Sequence, residues 1–479
     1  MKPIELAERL GRWSSGRGPL QVLLAARLRL LIDEGELPPG EPLPPDRALA
    51  LALAVGRSTV VAAYDLLRQD GRIIRRQGSG TRVAGAEPAG GEPAGARQTT
   101  SAPLFLYLLE PGDDVIPLAC AAPDTPPPEL AAAYADVAAA LAHTTGDIGY
   151  YPAGHPALRR AIADRYTEHG IRTGPQQIVV TNGGQQALSL LGRALLTAGD
   201  RVLVEGPTYP GALEAFREQA AMPCSLPVGL AGLAAATRAQ RAAMAYVIST
   251  FHNPTGSVLP PLARHALVQA AAEAGVPLVD DEVLSDLGFP GTEVPPPLAS
   301  YDAGVISVGS LSKSIWGGLR IGWVRAAEPL IARLSRLLAV YDLGGNVPAQ
   351  LAAARLLPQL DALSRRQAAG LQARHDHLRA ELADRLPDWD APAVPGGQTL
   401  WVRLPYGDGT SFAQTALRHR IAVLPGSGLD AYGRCQDHLR LHFVSPPEVL
   451  TEAVRRLGEA WRAYHPPPTP ATSPPAMSL

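Results

Sequence analysis

The sequence predicts a multidomain chain: a small, basic, helix-rich module followed by a two-lobed α/β domain whose larger lobe carries a mostly parallel sheet. Three observations predict it. At 479 residues the chain exceeds one ordinary core. Residues 84–103 are crowded with Ala, Gly and Pro and show no hydrophobic periodicity, as expected of a tether between domains. Beyond them, short apolar runs alternate with amphipathic stretches, the pattern of strands joined by helical crossovers.

Taken in order, residues 1–83 form the first expected domain and hold 13 Lys+Arg against 9 Asp+Glu, a basic bias that the rest of the chain reverses. Leu20–Glu34 reads as an amphipathic helix, and Asp46–Leu53 as a second, with Asp46 placed to cap it. A turn at Gly56 leads to a third helix that starts at Ser58/Thr59, carries apolar residues at Val60, Ala63, Tyr64 and Leu67, and stops at Gly71. Two short β runs joined by Gly-Ser-Gly follow, loaded with Arg72, Arg75, Arg76 and Arg82. The whole reads as a helix-turn-helix with a basic wing. Arg57, Ser58 and Thr59 then stand at the front of a helix, where polar side chains reach phosphates and base edges of duplex DNA.

In residues 104–464, strands are expected at Gln177–Thr181, Arg201–Val204, Ala245–Ser249, Pro277–Val279 and Val305–Val308, with helices such as Gln185–Leu196 and Leu262–Ala274 between several of them. A smaller α+β lobe is expected over roughly 348–464, with strands near Thr399–Leu404 and His438–Phe443. The Pro/Ser/Thr-rich tail 465–479 reads as disordered. Cys120, Cys224 and Cys435 match neither a disulfide framework nor a metal site, and no apolar run reaches the roughly 20 residues that span a bilayer. A cytoplasmic protein without membrane or metal is the expectation.

The lysine count is the most informative part of the composition. Of 43 basic residues only Lys2 and Lys313 are lysines. Arginine keeps its proton above pH 12, whereas a lysine amine can lose it and attack a carbonyl. Ser310 and Ser312 precede Lys313 and Arg320 follows it, a cluster that a phosphate would fit. Gly183, Gly184 and Gln185 lie between a strand and a helix, where free amides also suit a phosphate. Taken singly, these features have ordinary readings: a surviving surface lysine, a Gly-Gly turn, acids in a solvated loop at Asp281, an ion-paired strand arginine at Arg440.

Together they resemble a known architecture. The run VGSLSKSIWGGLRIG is similar to the lysine signature of fold-type I aminotransferases, and VVTNGGQQAL, EGPTYPG, FHNPTG, VDDEV and HLRLHF follow in that family's pattern. The resemblance implies an α/β domain of the pyridoxal 5'-phosphate (PLP)-dependent transferase fold type I, with PLP as cofactor and Lys313 as its catalytic lysine. It further implies that Tyr209 stacks on the pyridine, Asn253 donates to its 3'-oxygen, Asp281 pairs with the ring nitrogen, and Gly183, Gly184, Gln185, Ser310, Ser312 and Arg320 hold the phosphate. Arg440 would grip a ligand carboxylate, and Tyr150 would reach the phosphate of a partner subunit in a homodimer.

Residues 19–84 resemble the GntR-type winged helix through LPPDRALA, VGRSTVVAAYDLL and RRQGSGTRV, implying that Arg47 and Arg57 contact DNA and that Gly80 lets the wing enter a groove. The two in this order resemble the MocR-type transcriptional regulators. That implies a DNA-binding regulator that senses an amino acid or amine through aldimine exchange at Lys313. The alternative is a working aminotransferase carrying a DNA-binding module, and a third reading is a sensor of PLP alone. Three departures from the aminotransferase pattern, Leu284 where a tyrosine is usual, Gly184 where a hydroxyl is usual, and the loop GYYPAG from Gly149 one residue shorter than the usual Tyr-to-Gly spacing, point to weak transamination.

Overall fold

In a computed structural model, residues 3–11, 13, 20–38, 40–53, 55, 57–69, 72–76, 80–84, 114–123 and 125–466 are described. The chain divides into two compact units, Met1–Leu106 and Tyr107–Leu479.

The first unit contains helices α1 (Pro3–Leu10), α2 (Leu20–Asp33), α3 (Asp46–Ala52) and α4 (Arg57–Gln69), with strands β1 (Pro42–Leu43), β2 (Ile73–Arg76) and β3 (Gly80–Val83). Leu24, Leu28 and Leu31 on α2 and Val60, Ala63, Tyr64 and Leu67 on α4 are spaced to share one helix face, and all are buried in one core with Ile73 and Val83. The strands form a sheet in the order β1-β3-β2, with Ile73 opposite Val83 across an antiparallel hairpin. Asp46 does not cap α3. Pro45 is the N-cap, and Asp46 is the first helical residue and buried, so its charge faces the helix's positive end from within the first turn. The third predicted helix begins at Arg57, one residue before the expected start, and the expected turn at Gly56 and stop at Gly71 lie outside the described residues.

In the second unit, β4 (Ile116–Pro117) precedes a seven-stranded sheet made of β5 (Ile178–Thr181), β6 (Arg201–Glu205), β7 (Met222–Leu226), β8 (Met244–Val247), β9 (Leu278–Asp281), β10 (Ile306–Ser310) and β11 (Gly322–Arg325). Their order is β5-β11-β10-β9-β8-β6-β7; only β11 runs antiparallel to its neighbours. Alternate residues of each strand face opposite sides. Val180, Leu203, Val247 and Leu278 enter one core, while Val179, Val202, Val204, Tyr246 and Val279 enter another. Helices cover both faces, which parallel strands require because their connections must cross the sheet.

A further core belongs to the smaller lobe. Strands β12 (Thr399–Arg403), β14 (Leu424–Pro425) and β15 (His438–His442) form a sheet in the order β12-β15-β14, while β13 (Ile421–Ala422) pairs with β4 in parallel. This lobe does not begin near residue 348. The helix Val347–Leu356 packs into the first sheet core, and the lobe instead recruits Leu118 from before the sheet. The 26-residue helix Leu360–Arg385 joins the two, giving Leu360 and Leu363 to the first core and Leu371, Leu378 and Leu382 to the smaller one.

Leu441, fully buried on β15, tests this packing. Leu441→Ala should destabilise the second unit by about 2–5 kcal/mol and lower its urea midpoint; an unchanged midpoint would remove β15 from the core.

Candidate functional site

Chemistry-bearing residues gather beyond the carboxyl ends of the parallel strands. Lys313 lies in the turn after β10. Its Nζ donates to the carbonyl of Ala121. Burial lowers the amine to about 8, and the Arg440 and Arg320 charges push the same way, against Cys120 and Asp281. A neutral, nucleophilic fraction is therefore available near neutral pH.

Asp281 ends β9 and is buried, unlike an acid in a solvated loop. Tyr246 Oη donates to its Oδ2 at 2.7 Å and the Val283 amide to its Oδ1 at 3.1 Å. Burial nevertheless raises its pKa to about 6, against the Tyr246 hydrogen bond. Asp280 is used differently: its carboxylate accepts from Ser249 Oγ at 3.0 Å and from the Leu298 amide at 3.3 Å. Glu282, pushed up to about 8 by burial and by Asp280, accepts from Tyr166 Oη at 2.7 Å.

Arg440 is buried on β15. One Nη donates to Asn253 Oδ1 at 3.2 Å and the other to the Ala119 carbonyl, while Nε has no hydrogen-bond partner. No acid pairs with it among the described residues, and burial pushes its pKa down to about 10. A buried guanidinium without a counter-charge is costly unless a ligand anion completes it.

The residues that the sequence assigns to a phosphate lie where three backbone segments meet. Gly183, at φ +84°, caps the helix Gly184–Leu195; a Cβ there would lie 2.7 Å from Arg320 Nη2. Arg320 is anchored by donation to the Asn182 carbonyl at 2.5 Å. A Cβ on Gly322 would come within 2.6 Å of the Gly183 backbone, so glycine is needed for β11 to pass beneath this turn. Ser310 Oγ donates to the Ile321 carbonyl at 3.0 Å and pairs with Ser312 Oγ at 3.0 Å, where the Ser312 hydroxyl can be the donor. Gln185 turns its side chain elsewhere, accepting from Tyr209 Oη at 3.1 Å and donating to the Gly211 carbonyl at 2.8 Å, so only its main chain is left for a phosphate. Burial, with Asp281 next, raises the Tyr209 phenol to about 12, so it stays protonated.

Several residues have no signal in the sequence. His442 is buried near Lys313 and Arg440; its Nε2 donates to the Pro117 carbonyl at 2.5 Å and its Nδ1 accepts from the Val444 amide at 3.2 Å. Burial above all, then those two cations, lowers it to about 4, so it is neutral and structural. Glu205 Oε2 lies 3.2 Å from His252 Nε2 and also accepts from the Ile248 amide, bracing the turn that carries Asn253. Leu284 enters the smaller core beside Phe251, and no hydroxyl stands there.

Tyr150 is 62% exposed, and no hydrogen bond ties it to this cluster among the described residues. In the first unit Arg47 is exposed on α3 and Thr59 is half-buried in the first turn of α4. Gly80 opens β3 opposite Arg76. The side chains of Arg57, Ser58, Arg75 and Arg76 lie outside the described residues, although α4 and β2 include these positions. No helix among the described residues is long and apolar enough to cross a membrane.

An amine of lowered pKa, a buried acid, a helix N-terminus flanked by hydroxyls and arginine, and an unpaired buried guanidinium together fit PLP and a carboxylate-bearing ligand. Residues 113–457 match the family Aminotransferase class I and II, and residues 20–83 match Bacterial regulatory proteins, gntR family. The chain is 30% identical to the uncharacterized HTH-type transcriptional regulator YisV of Bacillus subtilis, across 94% of this chain and 99% of that one. It is 29% identical to the probable rhizopine catabolism regulatory protein MocR of Rhizobium meliloti, across 67% and 68% of the two. Among solved structures, LysN, the alpha-aminoadipate aminotransferase of Thermus thermophilus complexed with N-(5'-phosphopyridoxyl)-L-leucine, superposes with a TM-score of 0.67 at 28% identity, covering 75% of this chain and 94% of that one. The chain belongs to the MocR-type transcriptional regulators, DNA-binding proteins that join a GntR winged helix to an aminotransferase class I and II domain with pyridoxal 5'-phosphate as cofactor.

Proposed function

We propose that this PLP-dependent regulator senses an amino acid or amine at Lys313, and that the ligand's occupancy of the site alters how its winged helices hold DNA. The observation that carries this reading is Arg440, buried with Nε unpartnered and without an acid, beside an amine held near pKa 8. When bound, PLP supplies an aldehyde that primary amines can engage and an electron-withdrawing ring. Lys313 would present its amine to that aldehyde, where a ligand's primary amine could take its place. Asp281 would hold a proton at the ring nitrogen, Asn253 would meet the 3'-oxygen, Tyr209 would cover the ring, and Gly183, Gly184, the Gln185 amide, Ser310, Ser312 and Arg320 would take the phosphate. In the first unit, Arg47, Arg57, Ser58, Thr59, Arg75, Arg76 and Gly80 are assigned to DNA.

A homodimer is part of the proposal. Ile148, Tyr150, Val340 and Leu343 are large apolar side chains left exposed, and Gly344 packs against the Tyr151 carbonyl, which brings the two stretches together. A second copy covering this surface would also let Tyr150 reach the partner's phosphate site. Two winged helices would then read two half-sites.

The decisive experiment mixes purified protein with PLP, screens amino compounds by the visible absorbance of the cofactor, and repeats the DNA gel shift with each hit. Lys313→Ala should lose the visible band. Ligand-dependent DNA binding without sustained transamination supports the regulator, whereas steady multi-turnover transfer to a 2-oxo acid would favour an aminotransferase that carries a DNA-binding module. Arg440→Gln should weaken binding of an α-amino acid by about 10–100-fold and leave the corresponding decarboxylated amine little affected; equal losses for both would remove Arg440 from carboxylate recognition.

Asp281 also predicts a pH dependence. Its carboxyl is ionised above about 6 and protonated below, and only the ionised form offers a counter-charge to the protonated ring nitrogen. Cofactor affinity should therefore fall as pH drops through about 6. Tyr246→Phe removes a donor that favours the ionised form, so the fall should move to higher pH. Superimposable pH profiles of the PLP Kd for the two proteins would refute this assignment.

A further inference from the structure

Lys313 has two connections to the smaller lobe, at opposite ends of the residue. Its Nζ donates to the carbonyl of Ala121, a residue packed against that lobe's core. Its main-chain carbonyl accepts from Gln367 Nε2 at 2.8 Å and has Gln398 Nε2 at 3.5 Å. Gln398 immediately precedes β12 of the smaller lobe and is 1% exposed. Gln367 lies on the helix Leu360–Arg385 between Leu363, which enters the first sheet core, and Leu371, which enters the smaller one. The turn after β10 offers this carbonyl no ladder partner, so side-chain amides satisfy it instead. Both glutamines keep a buried Oε1 without a hydrogen-bond partner among the described residues, so neither is held in place by a competing acceptor contact.

The two connections differ in what the cofactor does to them. An amine bonded to PLP would keep at most one of the three donors of an ammonium group, and its nitrogen would be drawn toward the cofactor, so loading would weaken the Ala121 connection. The carbonyl is untouched by that bond and keeps its amides. We propose that Gln367, assisted by Gln398, is a positioning residue through which the loading of Lys313 is felt by the inter-lobe helix and the smaller core. Gln367 stands where the helix passes from one core to the other, so a displacement of the Lys313 turn acts on the helix at its crossing point. Packed cores take up such displacements as a shift between discrete arrangements rather than by stretching.

This inference rests on PLP bonding to Lys313, and the test separates the two. Hydrogen exchange is followed by mass spectrometry on the full chain with and without PLP, and cofactor uptake is read in parallel from visible absorbance. In the wild type, loading should change exchange of the amides Leu371–Leu382 and Thr399–Arg403 by about threefold or more. Gln367→Leu should show the same absorbance and lose most of that change, and Gln398→Leu, whose contact is longer, should lose less. Gln367→Met serves if the leucine variant does not fold. Wild type that loads without altering exchange, or a Gln367 variant that responds like wild type, overturns the inference. So does a variant whose exchange differs from wild type by the same factor with and without cofactor, the signature of a merely structural side chain. Wild type that develops no visible band overturns the cofactor's bond to Lys313 itself.

Discussion

Cations confined together without enough anions govern this site. The charges of buried Arg440 and of the more exposed Arg320 both act on Lys313, the helix Gly184–Leu195 adds its positive end, and Asp281 is the carboxylate that opposes them. Desolvation makes that arrangement expensive, and the molecule relieves it in part by driving the amine toward its neutral form. The same imbalance leaves room for a phosphate at one end and a carboxylate at the other. On the proposed function, a ligand bearing both would neutralise what folding leaves uncompensated, so binding and reactivity at Lys313 would share one electrostatic origin.

Sheet topology makes the condition possible. Gly183 follows β5, Tyr209 follows β6, Asn253 follows β8, Asp281 ends β9 and Lys313 follows β10, so these five leave their strands at the carboxyl end, while Arg440 comes from within β15 and Arg320 precedes β11. In open α/β sheets that edge is where connections can approach without disturbing the ladder. Residues distant in sequence meet there: the Ala121 carbonyl is 192 positions from Lys313, and the Ala119 carbonyl is 321 from Arg440.

What could be read in the sequence follows from these physical differences. The parallel strands were legible because burial on both faces leaves continuous apolar runs, and Lys313 because its side-chain type is so rare in this chain. Strand β7 was not, since Met222–Leu226 contains Pro223, which an edge strand tolerates but which reads as a turn. Strand β11 was hidden because Gly322–Arg325 is short and overlaps the motif around Arg320. Asp46 misled because Asp is a common N-cap, whereas the preceding Pro45, already extended, occupies that position. The smaller lobe's start was misplaced because periodicity reveals a helix but not which core receives it. Tyr246, His442, Glu205 and the main-chain carbonyls of Ala119 and Ala121 were illegible, since a second partner behind a functional group leaves no motif.

Leu284 bears on why such a site can serve regulation. A hydroxyl three residues after Asp281 would face the cofactor's 3'-oxygen, and here that position contributes instead to the core of the smaller lobe beside Phe251 and Leu287. The exchange would give up one hydrogen bond at the ring, and it adds apolar contact in the lobe that the Lys313 carbonyl reaches through Gln398. An enzyme depends on interactions that strengthen in the transition state. A sensor depends only on a difference in ligand affinity between two protein states, and about 1–3 kcal/mol of coupling changes affinity by several-fold to a hundredfold. Losing a ring contact while tightening the lobe therefore costs catalysis more than it costs sensing.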